Sequence, residues 1–347
     1  MPKSKRSNPL APERPARLHV LFTCVGRRVE LLRAFRRAAD KLGIKLDAHG
    51  ADANWRAPAM HFVDHPHVVP SIKSGRYIDS LADLVRRHRI DLLIPLLDVE
   101  LIDIAAAADR FAKLGCRAVI SSERVVRICR DKIATHAALT AAKIDTPDTW
   151  TWDKVLKRKR YRFPYFLKPR HGSAAKGNYV VRNADELRTF GRHVERPIVQ
   201  EFIEGVEHTL DVYTGFDGRV RCIVPRKRLE VRSGEVTKAV TVNDPRVIAV
   251  GRRVAEALAE CRGVVTVQCM VQPNGRIRVI EINPRLGGGA PLSIHAGADF
   301  PRWIMMEHLG RTPRIKPPGF RADVAMLRYD DSVLVTNATK RLGLISK

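Results

Sequence analysis

The sequence predicts an α/β protein that turns α+β in its C-terminal half, and three observations carry that prediction. Short apolar runs alternate with stretches of helical periodicity up to residue 120, strand-like segments dominate after residue 205, and Asn274-Gly275 sits between two apolar runs. The first element is the run over 18–25, a strand ending at Gly26. Val29, Leu31, Leu32, Phe35, Ala39 and Leu42 then recur at the spacing of one helix face until Gly43, which suits the left-handed end of a helix. Ile78, Leu81, Leu84 and Val85 mark a second amphipathic helix, residues 91–97 a buried strand, 101–114 a third helix and 116–120 another strand. Alternating strands and helices argue for a parallel sheet covered on both faces. Beyond Asp131 a helix over 132–143 stops before Thr146-Pro147, and strands at 165–169, 178–182 and 197–203 accompany a helix at 185–194. Antiparallel strands follow at 209–216, 219–227 and 235–242, then a helix at 247–258 and the strand pair around Asn274-Gly275. A last strand-like piece covers 322–329.

At 347 residues the chain exceeds one compact core, so two or three subdomains are expected. Its 45% hydrophobic and 29% charged residues belong to an ordinary globular protein, not a fibrous or disordered one. Lys plus Arg, 62, against Asp plus Glu, 37, leaves +25 and favours anionic partners: phosphorylated small molecules, nucleic acid or an acidic membrane surface. The basic cluster from Lys154 to Arg162 lacks the aromatic interleaving that stacks bases and reads as a solvated loop, so nucleic acid is not the expected partner. No apolar run approaches the roughly 20 residues of a membrane span. Six scattered cysteines without a CxxC pair fit a reduced, cytoplasmic setting. Residues 1–17 hold four prolines, five basic residues and one acid, and read as a disordered basic tail. His61, Asp64, His65 and His67 cluster without a recognised metal-ligand spacing.

The most informative stretch is 264–285. A two-residue type I′ loop at Asn274-Gly275 sets Pro273 opposite Arg276 and, counting outward, Gln268 opposite Glu281, with Asn283 on the same strand face. One carboxylate and two amide oxygens then converge, a donor set suited to Mg2+ that also keeps bonds to phosphate. The apolar flanks Val279, Ile280 and Ile282 leave Glu281 little solvent, so its charge calls for a cation. Arg285 follows Pro284, and Gly287-Gly288-Gly289 permits close backbone approach to a ligand. Upstream, Lys168 ends a strand before the small-residue loop Gly172-Ser173-Ala174-Ala175-Lys176-Gly177, whose N–H groups suit phosphate; a flexible hairpin loop explains it equally well. It is no P-loop, because GxxxxGK(S/T) is absent. Ser173 and Lys176 fit SxxK, but the SDN and KTG partners of serine acylases are missing. The segment 200–207 reads either as a plain strand end or as a hinge where backbone groups meet an adenine edge and Glu207 accepts from ribose hydroxyls.

Taken in this order, the lysine with its loop, the acidic hinge and the VIEINPR segment at 279–285 resemble the ATP-grasp superfamily from Leu18 to about Gly310, and most of all its carbamoyl-phosphate-synthase-like carboxylate–amine ligases. The resemblance implies an ATP-grasp fold: a Rossmann-like pre-ATP-grasp domain at 18–125, a lid subdomain at 126–204 and a C-terminal subdomain at 205–347 with the metal site. It implies that Lys132 and Lys168 hold the phosphates of ATP and that Gly172, Ser173 and Gly177 belong to a mobile lid. Glu201 and the backbone of Phe202 and Ile203 would meet adenine, and Glu207 ribose. Gln268, Glu281 and Asn283 would hold one or two Mg2+ (or Mn2+) ions, and Arg285 would stabilise the transferring phosphoryl group. Ala174 and Ala175 depart from the Gly or Ser that relatives often carry there. The implied activity joins a carboxylate, an amino acid's among the candidates, to an amine through an acyl phosphate, releasing ADP and phosphate.

The acceptor site is less defined. Alternation sends Arg226 and Arg228 to one strand face and Lys227 to the other. Arg228 and Lys238 are expected to bind the substrate carboxylate, with a solvated basic face as the alternative. Gly26-Arg27-Arg28 opens the first helix as an anion site or as a plain turn. Asp98 and Glu100 either meet a substrate ammonium or complement a helix dipole. Ser293 and His295 follow the glycines toward the pocket. A carboxylase or carboxylate kinase would use the same phosphoryl-transfer residues and stays open, as does a basic nucleic-acid-binding protein retaining a nucleotide fold. Small-molecule acid and amine partners, no membrane and an open question of a homodimer complete the expectation.

Overall fold

The structure, a computed structural model, describes residues 17–172, 176–232 and 234–341. The tail expected over 1–17 lies outside these residues except for Arg17, which opens the first strand and pairs with Asp47 at 3.2 Å. Strand and helix alternate through β1 (Arg17–Thr23), α1 (Val29–Leu42), β2 (Lys45–Asp52), β3 (His65–Val68), α2 (Tyr77–His88), β4 (Leu92–Pro95), α3 (Leu101–Ala106), α4 (Ala108–Lys113) and β5 (Arg117–Ala118). The strands are all parallel, in the order β3-β2-β1-β4-β5. Alternation along β1 divides the core. Val20 and Phe22 pack with Phe35 of α1, and Leu21 packs with Leu81 and Val85 of α2. Gly43 ends α1 at φ +65°, its N–H turned back to the carbonyls of Ala39 and Asp40. The helix expected over 101–114 is broken at Ala107, whose ψ of 6° caps α3 and α4 alike.

Five histidines gather on the α2 side of this sheet. The rings of His19, His65, His67 and His88 lie with centroids 4.4–5.5 Å from that of His49. Burial and the neighbouring imidazoles hold His49 at about 3 and His67 at about 4, so both rings are neutral at neutral pH. Of the residues that cluster in the sequence, His61 lies apart against Trp55 and Asp64 against Arg36.

The chain continues through α5 (Glu123–Arg130) and α6 (Lys132–Ala141) into β6 (Thr149–Thr151), α7 (Trp152–Leu156), β7 (Tyr165–Pro169), β8 (Tyr179–Val181), α8 (Ala184–His193) and β9 (Pro197–Glu201). These four strands form an antiparallel sheet, β6-β9-β7-β8, with Leu167, Val181 and Val199 packed on Leu187 of α8. The remaining elements are β10 (Val206–Thr214), β11 (Val220–Arg232), β12 (Glu235–Thr241), α9 (Pro245–Leu258), β13 (Gly263–Val271), β14 (Ile277–Asn283), α10 (Ala290–His295), α11 (Phe300–His308) and β15 (Ala325–Leu327). They build a six-stranded antiparallel sheet, β14-β13-β10-β11-β12-β15.

One face of that sheet, with Leu210, Val212, Ile223, Val265 and Val267, buries Val247, Val254 and Leu258 of α9. Alternation therefore turns Thr209, Asp211, Arg226 and Thr266 to the opposite face. Val125, Cys129 and Leu139 of α5 and α6 join the core with α9. The segment expected to open the lid at residue 126 thus gives its first helices to the large sheet. Phe300 and Trp303 of α11 share a core with Phe22 and Phe35. That packing draws the polar face of the large sheet against the carboxyl ends of β1 and β4.

Candidate active site

The β13–β14 hairpin departs from expectation twice, and the departures cancel. Its loop is three residues, Pro273-Asn274-Gly275: the Gln272 and Gly275 N–H groups donate to the carbonyls of Arg276 and Gln272. Gly275 takes φ +83° while Asn274 does not turn left-handed, so no type I′ turn forms. Val271 then faces Ile277 and Cys269 faces Val279, Ile280 is left unpaired as a bulge, and beyond it Gln268 faces Glu281 and Thr266 faces Asn283. The Ile280 carbonyl accepts from Lys168 Nζ at 3.5 Å, and Asn283 Nδ2 donates to Glu281 Oε1 at 3.2 Å. Gln268, Glu281 and Asn283 thus lie together. Their donor set, one carboxylate with two amides, suits a hard cation that keeps water and phosphate among its ligands. Among the described residues no group of three or more His, Cys, Asp or Glu is arranged to hold a metal ion by itself.

Two lysines face this hairpin. Asp131 caps α6 through the Ile133 N–H at 2.9 Å and accepts from Arg170 Nε at 2.9 Å, which fixes the start of the helix and with it Lys132. Lys132 Nζ donates to the Gly172 carbonyl at 3.1 Å. Lys132 and Lys168 are buried, 9% and 4% exposed. Burial lowers both, Lys168 to about 8, while the Glu281 charge draws each back up. Gly172 and Gly177 lie against Pro169, where a Cβ on either would fall 3.2 Å from its ring, and Gly177 adopts φ +73°. Ser173, Ala174 and Ala175, the middle of the expected lid, lie outside the described residues.

Four expected contacts need correction. The Glu201 carboxylate takes Arg278 Nη1 at 2.8 Å, and Arg278 also meets Asp145 at 3.1 Å. The hydrogen bond from Arg278 holds Glu201 below the usual carboxylate range. This side chain therefore ties β9 to β14 and is not free for an adenine edge; Phe202 and Ile203 follow it as partly buried loop residues. Glu207 pairs with Arg228 across the β10–β11 ladder. The expected ribose acceptor thus pairs with the arginine expected to bind the substrate carboxylate, while Arg228 still lines the cavity of the cleft. Lys238 stands opposite Glu230, after register shifts on either side of that residue, and pairs with it at 2.7 Å with both side chains half exposed. The bulged strand carries Lys238 out to solvent, away from the cleft.

The cleft itself contains a cavity of about 150 Å³ between the large sheet, the glycine run and the carboxyl edge of the parallel sheet. Gln268, Asn283 and Arg285 line it, with both Arg226 and Arg228, as alternation predicted. Arg226 is 1% exposed and forms a two-pronged pair with Asp211 at 2.9 and 3.0 Å, and Ser293 Oγ donates to Asp211 at 2.6 Å. Asp98 reaches from the parallel sheet to Arg285 Nη2 at 2.7 Å. Glu100 instead turns inward and accepts from the N–H groups of Leu96 and Leu97 at 3.0 Å. His295 lies outside the cavity against Glu30.

The glycine run makes close approaches, but to arginines. A Cβ on Gly289 would fall 2.1 Å from Arg226 Nη1, and one on Gly288 would fall 2.6 Å from Arg28 Nη1. Asp98 Oδ1, Arg226 Nη1, Arg228 Nε and Arg285 Nε are buried without a partner among the described residues. Four such atoms around one cavity mark a place for a polar ligand. The sequence offered one unused signal, Asp211 inside the apolar strand Val206–Thr214, because a buried carboxylate demands a cation.

A family profile described as "ATP-grasp domain" matches residues 129–289, and one described as "PylC-like, N-terminal domain" matches 20–120. A formate-dependent phosphoribosylglycinamide formyltransferase of Ignicoccus hospitalis is 28% identical over 269 residues, 71% of this chain and 64% of that protein. A carbamoyl-phosphate synthase of Methanobrevibacter smithii is 24% identical over 191 residues, 54% of this chain and 49% of that protein. The chain thus spans about half to two thirds of the length of these relatives. The crystal structure of an L-amino acid ligase from Bacillus licheniformis superposes with a TM-score of 0.68 at 18% identity, covering 84% of this chain and 74% of that one.

Proposed function

Since the chain belongs to the ATP-grasp superfamily, we propose that it is an ATP-dependent carboxylate–amine ligase that works through an acyl phosphate and releases ADP and phosphate. The observation that carries this reading is the meeting of Lys132, Lys168 and Glu281 beside a cavity whose wall bears Gln268, Asn283 and Arg285. Nucleotide lies between the four-stranded and six-stranded sheets. Lys132 and Lys168 hold its phosphates, and the backbone of Phe202 and Ile203 borders adenine. Glu281, Asn283 and Gln268 would hold Mg2+, which neutralises phosphate charge during transfer. A substrate carboxylate oxygen attacks the γ-phosphorus. The new P–O bond forms as the bond to the β,γ-bridging oxygen breaks, and ADP departs. Arg285, steadied by Asp98, meets the charge on the equatorial oxygens. The amine nitrogen then attacks the acyl carbon, a C–N bond forms, the C–O bond to phosphate breaks, and the amine loses a proton. A closed site spares the acyl phosphate from water.

Five of the six free cysteines are buried, which suits a reducing cytoplasm, and no described helix is long and apolar enough to cross a membrane. The test is product analysis with Mg-ATP and a panel of acids and amines. ADP, phosphate and amide in equal amounts are expected, whereas AMP with pyrophosphate contradicts the reading. Release of ADP that needs bicarbonate, or that needs an acid but yields no amide, assigns a carboxylase or a kinase instead.

Lys168 adds a pH dependence. Because burial brings it to about 8, it holds phosphate as a cation below that pH and loses the charge above it. A plot of kcat/KM for ATP against pH is expected to fall on its alkaline side near 8, and Lys168→Arg to move that limb upward. A limb that stays in place excludes Lys168 as the phosphate ligand.

A further inference from the structure

We propose that the cavity holds a second anionic group of the acid substrate, apart from the carboxylate that is phosphorylated, so that the acid is a dicarboxylate or a phosphorylated carboxylic acid. This rests on the ligase reading for its chemistry, but the subsite stands on the arginines alone. Three of the guanidinium groups in the cavity wall have carboxylates of their own: Arg226 has Asp211, Arg228 has Glu207 and Arg285 has Asp98. Just beyond them, Arg27 and Arg328 share Glu235 at 3.4 and 3.3 Å. The Arg28 guanidinium lines the same cavity and makes no hydrogen bond or ion pair among the described residues. Burial and the repulsion of Arg285 lower it to about 10, so it keeps its charge at neutral pH. Arg226, almost wholly buried, leaves Nη1 without a partner although its other two nitrogens are bound.

Consecutive glycines meet the two groups in the one cavity, Gly288 against Arg28 and Gly289 against Arg226. An uncompensated charge and an unmade donor in a shielded place are costly to the protein alone and are relieved by a bound anion. Lys132 and Lys168 do not line this cavity, so it is not the phosphate end of the nucleotide site. Gln268, Asn283 and Arg285 do line it, so it opens on the place where the phosphoryl group is transferred. A simple monocarboxylate would bring one charge, use it at the transfer site, and leave the Arg28 charge without a counter-ion and Arg226 Nη1 without an acceptor.

The test is calorimetric titration of butyrate, succinate and 3-phosphonopropionate into the full chain saturated with ADP and Mg2+. Succinate or 3-phosphonopropionate is expected to bind at least about tenfold more tightly than butyrate, the effect of roughly one new ion pair. Arg28→Gln should abolish most of that difference and leave ADP binding unchanged, which also reports an intact fold. The stronger of the two dianions tells carboxylate from phosphate. Equal affinity for all three acids, no binding of any, or a preference that survives Arg28→Gln overturns the proposal. A preference lost in Arg28→Gln without amide formation from any amine upholds the subsite and counts against the ligase reading alone.

Discussion

Replacing Glu281 by alanine is expected to lower kcat by about 10³-fold while the protein still folds. Glu281 is the sole carboxylate of the Gln268–Glu281–Asn283 group, so its loss removes the formal charge that would hold a divalent cation against the phosphates. It is only partly buried, and its side chain fills no core, so truncation leaves no cavity. What breaks locally is the 3.2 Å hydrogen bond from Asn283. Glu281→Gln keeps an acceptor for that bond and should lose nearly as much rate, which separates charge from shape. Glu281 also raises both buried lysines. Its removal should therefore move the alkaline limb attributed to Lys168 to lower pH. Steady-state rates with thermal melting of each variant check this, and a rate within tenfold of the parent rejects the metal assignment.

Replacing Arg285 by alanine is expected to cost about 10²–10³-fold in kcat with little change in the KM for ATP. Its guanidinium is held from one side by Asp98 and keeps a buried, unpartnered Nε. A group held this way from the parallel sheet meets charge as it develops without first having to reorient. Asp98→Asn tests the holding contact separately. Asp98 is a positioning residue, so its change should cost less, about tenfold. If Arg285 merely ties the two sheets together, both variants should lower the melting temperature and leave kcat alike.

Much of the fold was legible because local patterns decided it. The helix that ends at Gly43 and the alternation that puts Arg226 and Arg228 on one face are properties of neighbouring residues. The facing of Gln268 and Glu281 was reached through an incorrect loop: the three-residue turn shifts the register by one, and the bulge at Ile280 shifts it back. That bulge is stabilised by Lys168, more than a hundred positions away, which local sequence does not display. The same limit explains the rest. Glu207 found Arg228 across one ladder of the large sheet, Glu201 found Arg278 between the four-stranded and six-stranded sheets, and Asp98 found Arg285 across the two sheets that the packing of α11 on α1 brings together. Residue type fixed which groups needed partners, and tertiary packing chose them.

The most direct measurement is the fate of a carboxylate oxygen. An acid that the enzyme accepts, labelled with ¹⁸O in its carboxylate, is incubated with Mg-ATP and the amine, and the phosphate is examined by mass spectrometry. Transfer of one labelled oxygen to each phosphate released is the predicted result. Unlabelled phosphate, or label appearing in AMP, contradicts attack by the carboxylate on the γ-phosphorus and with it the reaction assigned to this site.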